Sequence, residues 1–384
     1  MVIGRMVAAV AGLAVALAGC AHPSPSTDPE PLRPAWQSMT LPTPAGTSGR
    51  IMVRDAATCA GRWFAVGGVA DPAGETRPAA WASSDGLSWS PVETAPSTFY
   101  GGRHLLYAVA CRDGRMAALG AAIGGAHGNP RTGTWSQGSD GVLREADGSF
   151  ELFGGPRAVS VSRLAAGPGG WLVVGTRLAG AAVWTSPDGG RFTAHEGLPE
   201  LASDGRGRTA AYDAVAVPSG WLVVGAVLAP GATPAAWTSP DARVWRRLEL
   251  PGAPGGGQAE RLTAAGDAVL AVGPVRDGFG TWRWTGAGWR WVGAFGSVGP
   301  GTRSVRALAA DGDRVVAATI DADGYRLWYS TDIGESWRNV AGPVPVPPGG
   351  DTGLAVAFQG DRLMVLADPG NGSRAWSAPL SAGG

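Results

Sequence analysis

Trp328-Tyr329-Ser330-Thr331-Asp332-Ile333-Gly334-Glu335-Ser336-Trp337 is a short apolar run closed by tryptophan, a tight aspartate turn and a second aromatic. Tryptophans close equivalent runs at Trp81, Trp135, Trp184, Trp237, Trp282, Trp328 and Trp376, so the spacings are 54, 49, 53, 45, 46 and 48 residues. A period near 50 marks a repeat array or a propeller. Around Trp237 the unit reads as four strands. A run Ala214-Val215-Ala216-Val217 is followed by Gly220-Trp221-Leu222-Val223-Val224-Gly225, then Ala235-Ala236-Trp237-Thr238-Ser239, then a Pro240-Asp241 turn and Val244-Trp245. Alternating apolar residues bounded by Gly, Pro, Asp and Ser are the marks of short antiparallel strands.

Second strands of the same kind recur seven times, at Trp63–Val66, Met116–Leu119, Trp171–Val174, Gly220–Gly225, Val269–Val272, Val315–Ala318 and Leu363–Leu366. One four-stranded sheet cannot cover both its faces, whereas seven packed radially can. The sequence therefore predicts an all-β fold, a seven-bladed β-propeller of four-stranded antiparallel blades. A helical reading fails on 62 glycines and on apolar runs without a 3.6-residue period. After Trp376 only eight residues remain, too few for an outer strand, while Ala35-Trp36-Gln37-Ser38-Met39-Thr40 is an orphan strand before the first blade. Residues 35–41 are expected to supply the outer strand of the blade built by 352–380, closing the ring.

The N-terminus reads as an export signal. Arg5 precedes an apolar stretch from Met6 to Ala18, too short for a permanent span and suited to a secretory h-region. Leu17-Ala18-Gly19-Cys20 resembles the bacterial lipobox, which implies lipidation and a mature N-terminus at Cys20; the plainer alternative is an ordinary signal peptide with a chance cysteine. Acyl chains supply about 0.8 kcal/mol per buried methylene, enough when several sit on one residue to hold a protein at a membrane. The expected organisation is a signal peptide over 1–19, a lipidated Cys20 with a Pro-rich tether over 20–34, and a propeller over 35–384. The expected location is the outer face of the cytoplasmic membrane.

Formal net charge is zero, with 16% charged residues, so no global field draws nucleic acid. All 31 basic residues are arginine, the bias of a GC-rich genome such as an actinobacterial one. His104, His127 and His195 are scattered, and no Cys-x-x-Cys or His-x-x-x-His spacing, nucleophile elbow or P-loop occurs; no metal, no cofactor and no catalytic residue is assigned. A monomer is expected. Cys59 and Cys111 end the first strands of blades one and two. In an exported protein they are candidates for a disulfide, with two separately buried thiols as the alternative.

The turn motif resembles the Asp-box, or BNR repeat, roughly S-x-D-x-G-x-T-W. Ser330 to Trp337 fits best; Ser83 to Trp89, Ser186 to Phe192 and Ser239 to Trp245 are shorter or degenerate copies. The resemblance implies a sialidase-like or sortilin-like architecture in which Asp85, Asp188, Asp241, Asp332, Gly334 and Trp337 are structural. Such sialidases use an arginine triad, a Tyr–Glu nucleophile pair and an aromatic-Arg-Ile-Pro string. The nearest string here, Gly49-Arg50-Ile51-Met52, lacks both the aromatic and the proline, and those propellers usually have six blades.

Aligning the first strands places Asp55, Tyr107, Arg163, Asp213, Arg261 and, with a one-residue shift, Arg306 at corresponding positions, a possible ligand ring around the axial channel. Mutual salt bridging is the bland alternative. The leading expectation is a non-enzymatic, lipid-anchored binding or scaffold module for an envelope protein or glycan; the alternative is a sialidase-like glycoside hydrolase.

Overall fold

The computed structural model describes residues 30–124, 130–253, 255–297, 299 and 301–380. The signal segment, Cys20 and His127 lie outside these residues.

Seven antiparallel sheets form a propeller. Their inner strands are Arg50–Cys59, Leu105–Arg112, Ala158–Gly167, Arg208–Val217, Arg261–Ala265, Ser304–Asp311 and Gly353–Gln359, in blades 1 to 7, and each adjoins its neighbours around the axis. Six blades run inner, second, third and outer strand in chain order; the seventh takes its outer strand, Gln37–Met39, from the N-terminal end. That strand pairs antiparallel with Arg374–Pro379, Ser38 opposite Trp376, so the ring closes as the orphan strand predicts. Blade 2 differs from the four-stranded expectation by a two-residue fifth strand, Thr94–Ala95, lying parallel to Leu143–Glu145.

Pairing has already begun ahead of residue 35. Leu32, within the stretch read as tether, is half-buried; its N–H donates to Asn339 O and its carbonyl accepts from Ala341 N, each at 2.8 Å, while Trp36 Nε1 donates to Ala341 O. The start of the folded body thus bridges blades 6 and 7.

The repeat is metrically regular. Trp81 faces Ala65, Trp135 faces Ala118, Trp237 faces Val223 and Trp328 faces Ala317, the same register in each blade. Among the described residues the apolar core divides into seven clusters, one per blade seam. Burial at the seams, at about 25 cal/mol per Å² of apolar surface, holds one blade against the next.

Four turns between third and outer strands share one hydrogen-bond scheme. In the clearest, Asp332 Oδ1 accepts from Ser330 Oγ at 2.7 Å and Ser336 N at 2.9 Å, and Gly334 N donates to Ser330 Oγ. Asp85, Asp188 and Asp241 likewise accept from the serine hydroxyl two residues back, and take the amides two and three residues on in place of the one four residues on. Gly334 has φ +77°, and a Cβ there would lie 2.8 Å from Thr281 Cγ2, so the turn needs glycine on both counts. Cys59 and Cys111 form a disulfide across the seam of blades 1 and 2, with Cα atoms 5.9 Å apart.

Candidate functional site

A recurring β-bulge sets the channel wall. In the inner strands the register skips Arg54, Tyr107, Ser162, Tyr212 and Arg306, and Glu260 occupies the same place just before the inner strand of blade 5. A bulge bends its strand and re-aims the side chains around the extra residue. Second strands make room with glycine: a Cβ on Gly67 would meet Met52 O at 1.9 Å and one on Gly225 would meet Ala210 O at 1.8 Å.

This corrects the sequence alignment of the ring. Asp55, Arg163, Asp213 and Arg261 follow the bulge, whereas Tyr107 and Arg306 are bulge residues one position earlier. The shift allowed for Arg306 alone applies to Tyr107 as well, because the extra residue slips the inner-strand count by one.

The two aspartates lie behind the wall. Asp55, 3% exposed, accepts Val109 N of blade 2 at 2.9 Å and is forked by Arg163 of blade 3 at 2.9 and 3.3 Å. Asp213, 7% exposed, accepts Ala214 N at 2.9 Å and Leu262 N of blade 5 at 3.0 Å; burial raises its pKa, opposed by the charges of Arg163 and Arg261. Glu260 was not singled out by sequence. It accepts Val305 N and Ser304 Oγ of blade 6 at 2.7 and 2.8 Å. Tyr107 donates to Val161 O of blade 3, and Ser162 to Ala211 O of blade 4. Arg54 pairs with Asp368 of blade 7 at 3.0 Å. A belt of polar struts therefore links neighbouring blades close to the axis.

In front of the belt lies a cavity of about 330 Å³ whose wall includes Arg54, Tyr107, Arg163, Arg261, Arg306 and Tyr325. Four of the six expected ring residues line it; Asp55 and Asp213 do not. Burial lowers the Arg261 pKa to about 10, and the facing charge of Arg163 pushes in the same direction, so both guanidinia are cationic at neutral pH and repel each other. For Arg163 burial acts against the charge, yet Asp55 and Asp213 outweigh it and the pKa rises. Burial raises the Glu260 pKa, opposed by the charge of Arg261 and, least, by that of the exposed Arg306. Burial pushes the Tyr107 hydroxyl far above the ordinary phenol range, which suits a hydrogen-bond donor and not an ionised nucleophile. Arg54 was missed because it is the bulge residue of blade 1, one position before Asp55, and Tyr325 because it reaches the cavity from the third strand of blade 6, Gly324–Ser330. The signal that marks the bulge, a Val-Gly or Leu-Gly pair in the second strand, was present in five repeats.

No family model matches the chain, and no curated protein does. Solved structures do. The β-propeller domain of the trilobed protease of Pyrococcus furiosus is 9% identical, covering 86% of this chain and 95% of its own, with a TM-score of 0.47. A prolyl endopeptidase is 11% identical over 86% of this chain and 50% of its own, with a TM-score of 0.50. A Hadza microbial sialidase is 11% identical over 86% of this chain and 66% of its own, with a TM-score of 0.45. The likeness is one of fold. This chain spans about half the length of the prolyl endopeptidase, and at such identities no site residue carries over.

Proposed function

We propose that this chain is a binding module, exported and anchored through Cys20, whose channel mouth takes a carboxylate or sulfate group of an envelope ligand. The observation that carries this reading is the pair Arg163 and Arg261, two like charges held across one cavity with Arg306 beside them. An anion between them relieves the repulsion and gains charge-assisted hydrogen bonds, each worth about 1.5–3 kcal/mol. The belt of struts supports the reading because it fixes the inner strands that carry the guanidinia, and pre-organised donors lose little on binding.

Turnover is not part of the proposal. In the cavity the phenol of Tyr107 is buried and committed to Val161 O, and Tyr325 is set against Thr352 O at 3.4 Å. The test is calorimetric titration with glucuronate and N-acetylneuraminate, alongside a fluorogenic sialoside. Salt-sensitive binding without turnover supports the module; turnover lost on substituting a cavity residue replaces it with the hydrolase reading.

A further inference from the structure

Trp328 breaks the repeat. Its counterparts Trp81, Trp135, Trp184, Trp237 and Trp282 are all 0% exposed, and four of them donate Nε1 to a carbonyl of the loop entering their blade: Pro42, Leu152, Glu200 and Pro251. Trp135 donates to buried His104 instead. Trp328 turns its Nε1 back to Thr319 Oγ1 of its own blade at 3.0 Å, and its ring stays half-exposed. Thr319 stands where five other blades carry glycine.

The cause lies in blade 5. Its outer strand, Trp289–Phe295, has seven residues where those of blades 1, 3 and 6 have three, and it delivers Phe295 into the seam. Phe295 stacks on Trp337 with centroids 4.4 Å apart and planes 20° apart, and meets Trp328 edge-on at 5.3 Å. Gly296 then passes so close that a Cβ would lie 2.9 Å from the Trp328 ring. The result is a groove of about 640 Å³ on the rim of blades 5 and 6, with Phe295, Trp328 and Trp337 as its apolar wall.

The polar side chains of its rim are each anchored by contacts that leave other polar atoms of the same groups without a partner among the described residues. Arg326 binds Asp323 through Nη2 at 2.9 Å and Asp321 through Nε at 3.5 Å, keeping Nη1. Glu335 gives Oε1 to Arg283 and Arg290, both at 3.0 Å, keeping Oε2. Asn339 spends Nδ2 on Leu327 O at 3.4 Å, keeping Oδ1. A fixed donor and two acceptors of cancelling charge beside aromatic faces match one chemistry well. A pyranose offers an apolar C–H face for the rings and hydroxyls that both donate and accept. A fatty chain would strand the rim, and a free anion would meet Glu335. We infer that this groove is a glycan-binding site for a pyranose chain, separate from the channel mouth.

The test is saturation-transfer NMR on the mature protein with millimolar cellohexaose, maltohexaose and N-acetylchitohexaose. At least one hexasaccharide should receive saturation, strongest on the C–H protons of one pyranose face. Trp328→Ala should weaken that binding about tenfold or more. If Trp328→Ala melts below the parent, Asn339→Ala and Glu335→Gln carry the test, since they leave the rings in place. A loss of about threefold or more in either supports the site. Absence of transfer to all three sugars, binding unchanged in these variants, or binding lost in Arg306→Ala at the channel would overturn it. A channel that fails to bind acids leaves this result untouched.

Discussion

Asp55 and Arg163 join blade 1 to blade 3 behind the channel wall, and the Val109 N–H of blade 2 donates to the same carboxylate. Three inner strands are thus tied at one side chain. Asp55→Ala leaves a guanidinium and a buried amide without their acceptor, and is expected to cost about 3 kcal/mol in denaturant unfolding. Arg163→Ala strands a buried carboxylate and should cost at least as much. The double variant should cost less than the sum by about 0.5–3 kcal/mol, the coupling of a contacting pair. Additive losses would mean that the fork contributes nothing.

Ring closure makes a separate prediction. Deleting residues 35–41 removes the Gln37–Met39 strand and the Trp36 contact to Ala341, exposing the Arg374–Pro379 edge. The truncated protein should melt lower and less cooperatively than the chain beginning at residue 21. Coincident melts would reduce that segment to a tether.

The Cys59–Cys111 bond closes a loop of 52 residues across one seam. A Cys59→Ser/Cys111→Ser variant is expected to lose about 2–4 kcal/mol, with a matching fall in melting temperature on reduction of the parent. Melting indifferent to reductant would remove the bond from the account of stability.

Acid should loosen the turns between third and outer strands. At Asp332 burial works against ionisation, but hydrogen bonds from Ser336 and Ser330 prevail and hold the folded pKa below the ordinary aspartate value. Asp85, Asp188 and Asp241 are lowered too. A folded pKa below the unfolded one means that the unfolded chain binds more protons. The contribution is therefore complete above about pH 5 and is lost as pH falls below about 4. Asp332→Asn should flatten the acid limb of the stability profile between about pH 5 and 2. An unaltered slope would show that the turn bonds are not coupled to folding.

The fold was legible because its signals are local and repeated. Trp81, Trp237 and Trp328 occupy one register, and the orphan strand at 37–39 fills the gap left after Trp376. The channel was half legible. Period-two reasoning found the right strands but not the bulge, so Tyr107 was aligned one residue late and Glu260 was passed over. Asp55 and Asp213 read as ligand groups from charge alone; whether a carboxylate faces the cavity or a neighbouring backbone depends on the twist between blades, which no single repeat encodes. The groove at Trp328 was hidden for the opposite reason, since the tryptophan pattern that exposed the fold made all seven look equivalent.

One measurement bears most directly on the binding reading. Calorimetric titration of glucuronate and N-acetylneuraminate into the parent and into Arg163→Ala/Arg261→Ala/Arg306→Ala should give salt-sensitive binding to the first and none to the second. Single Arg261→Ala and Arg306→Ala variants that melt like the parent should each bind about tenfold or more weakly. Equal affinity for the parent and the triple variant would contradict the assignment of the channel mouth as the anion site.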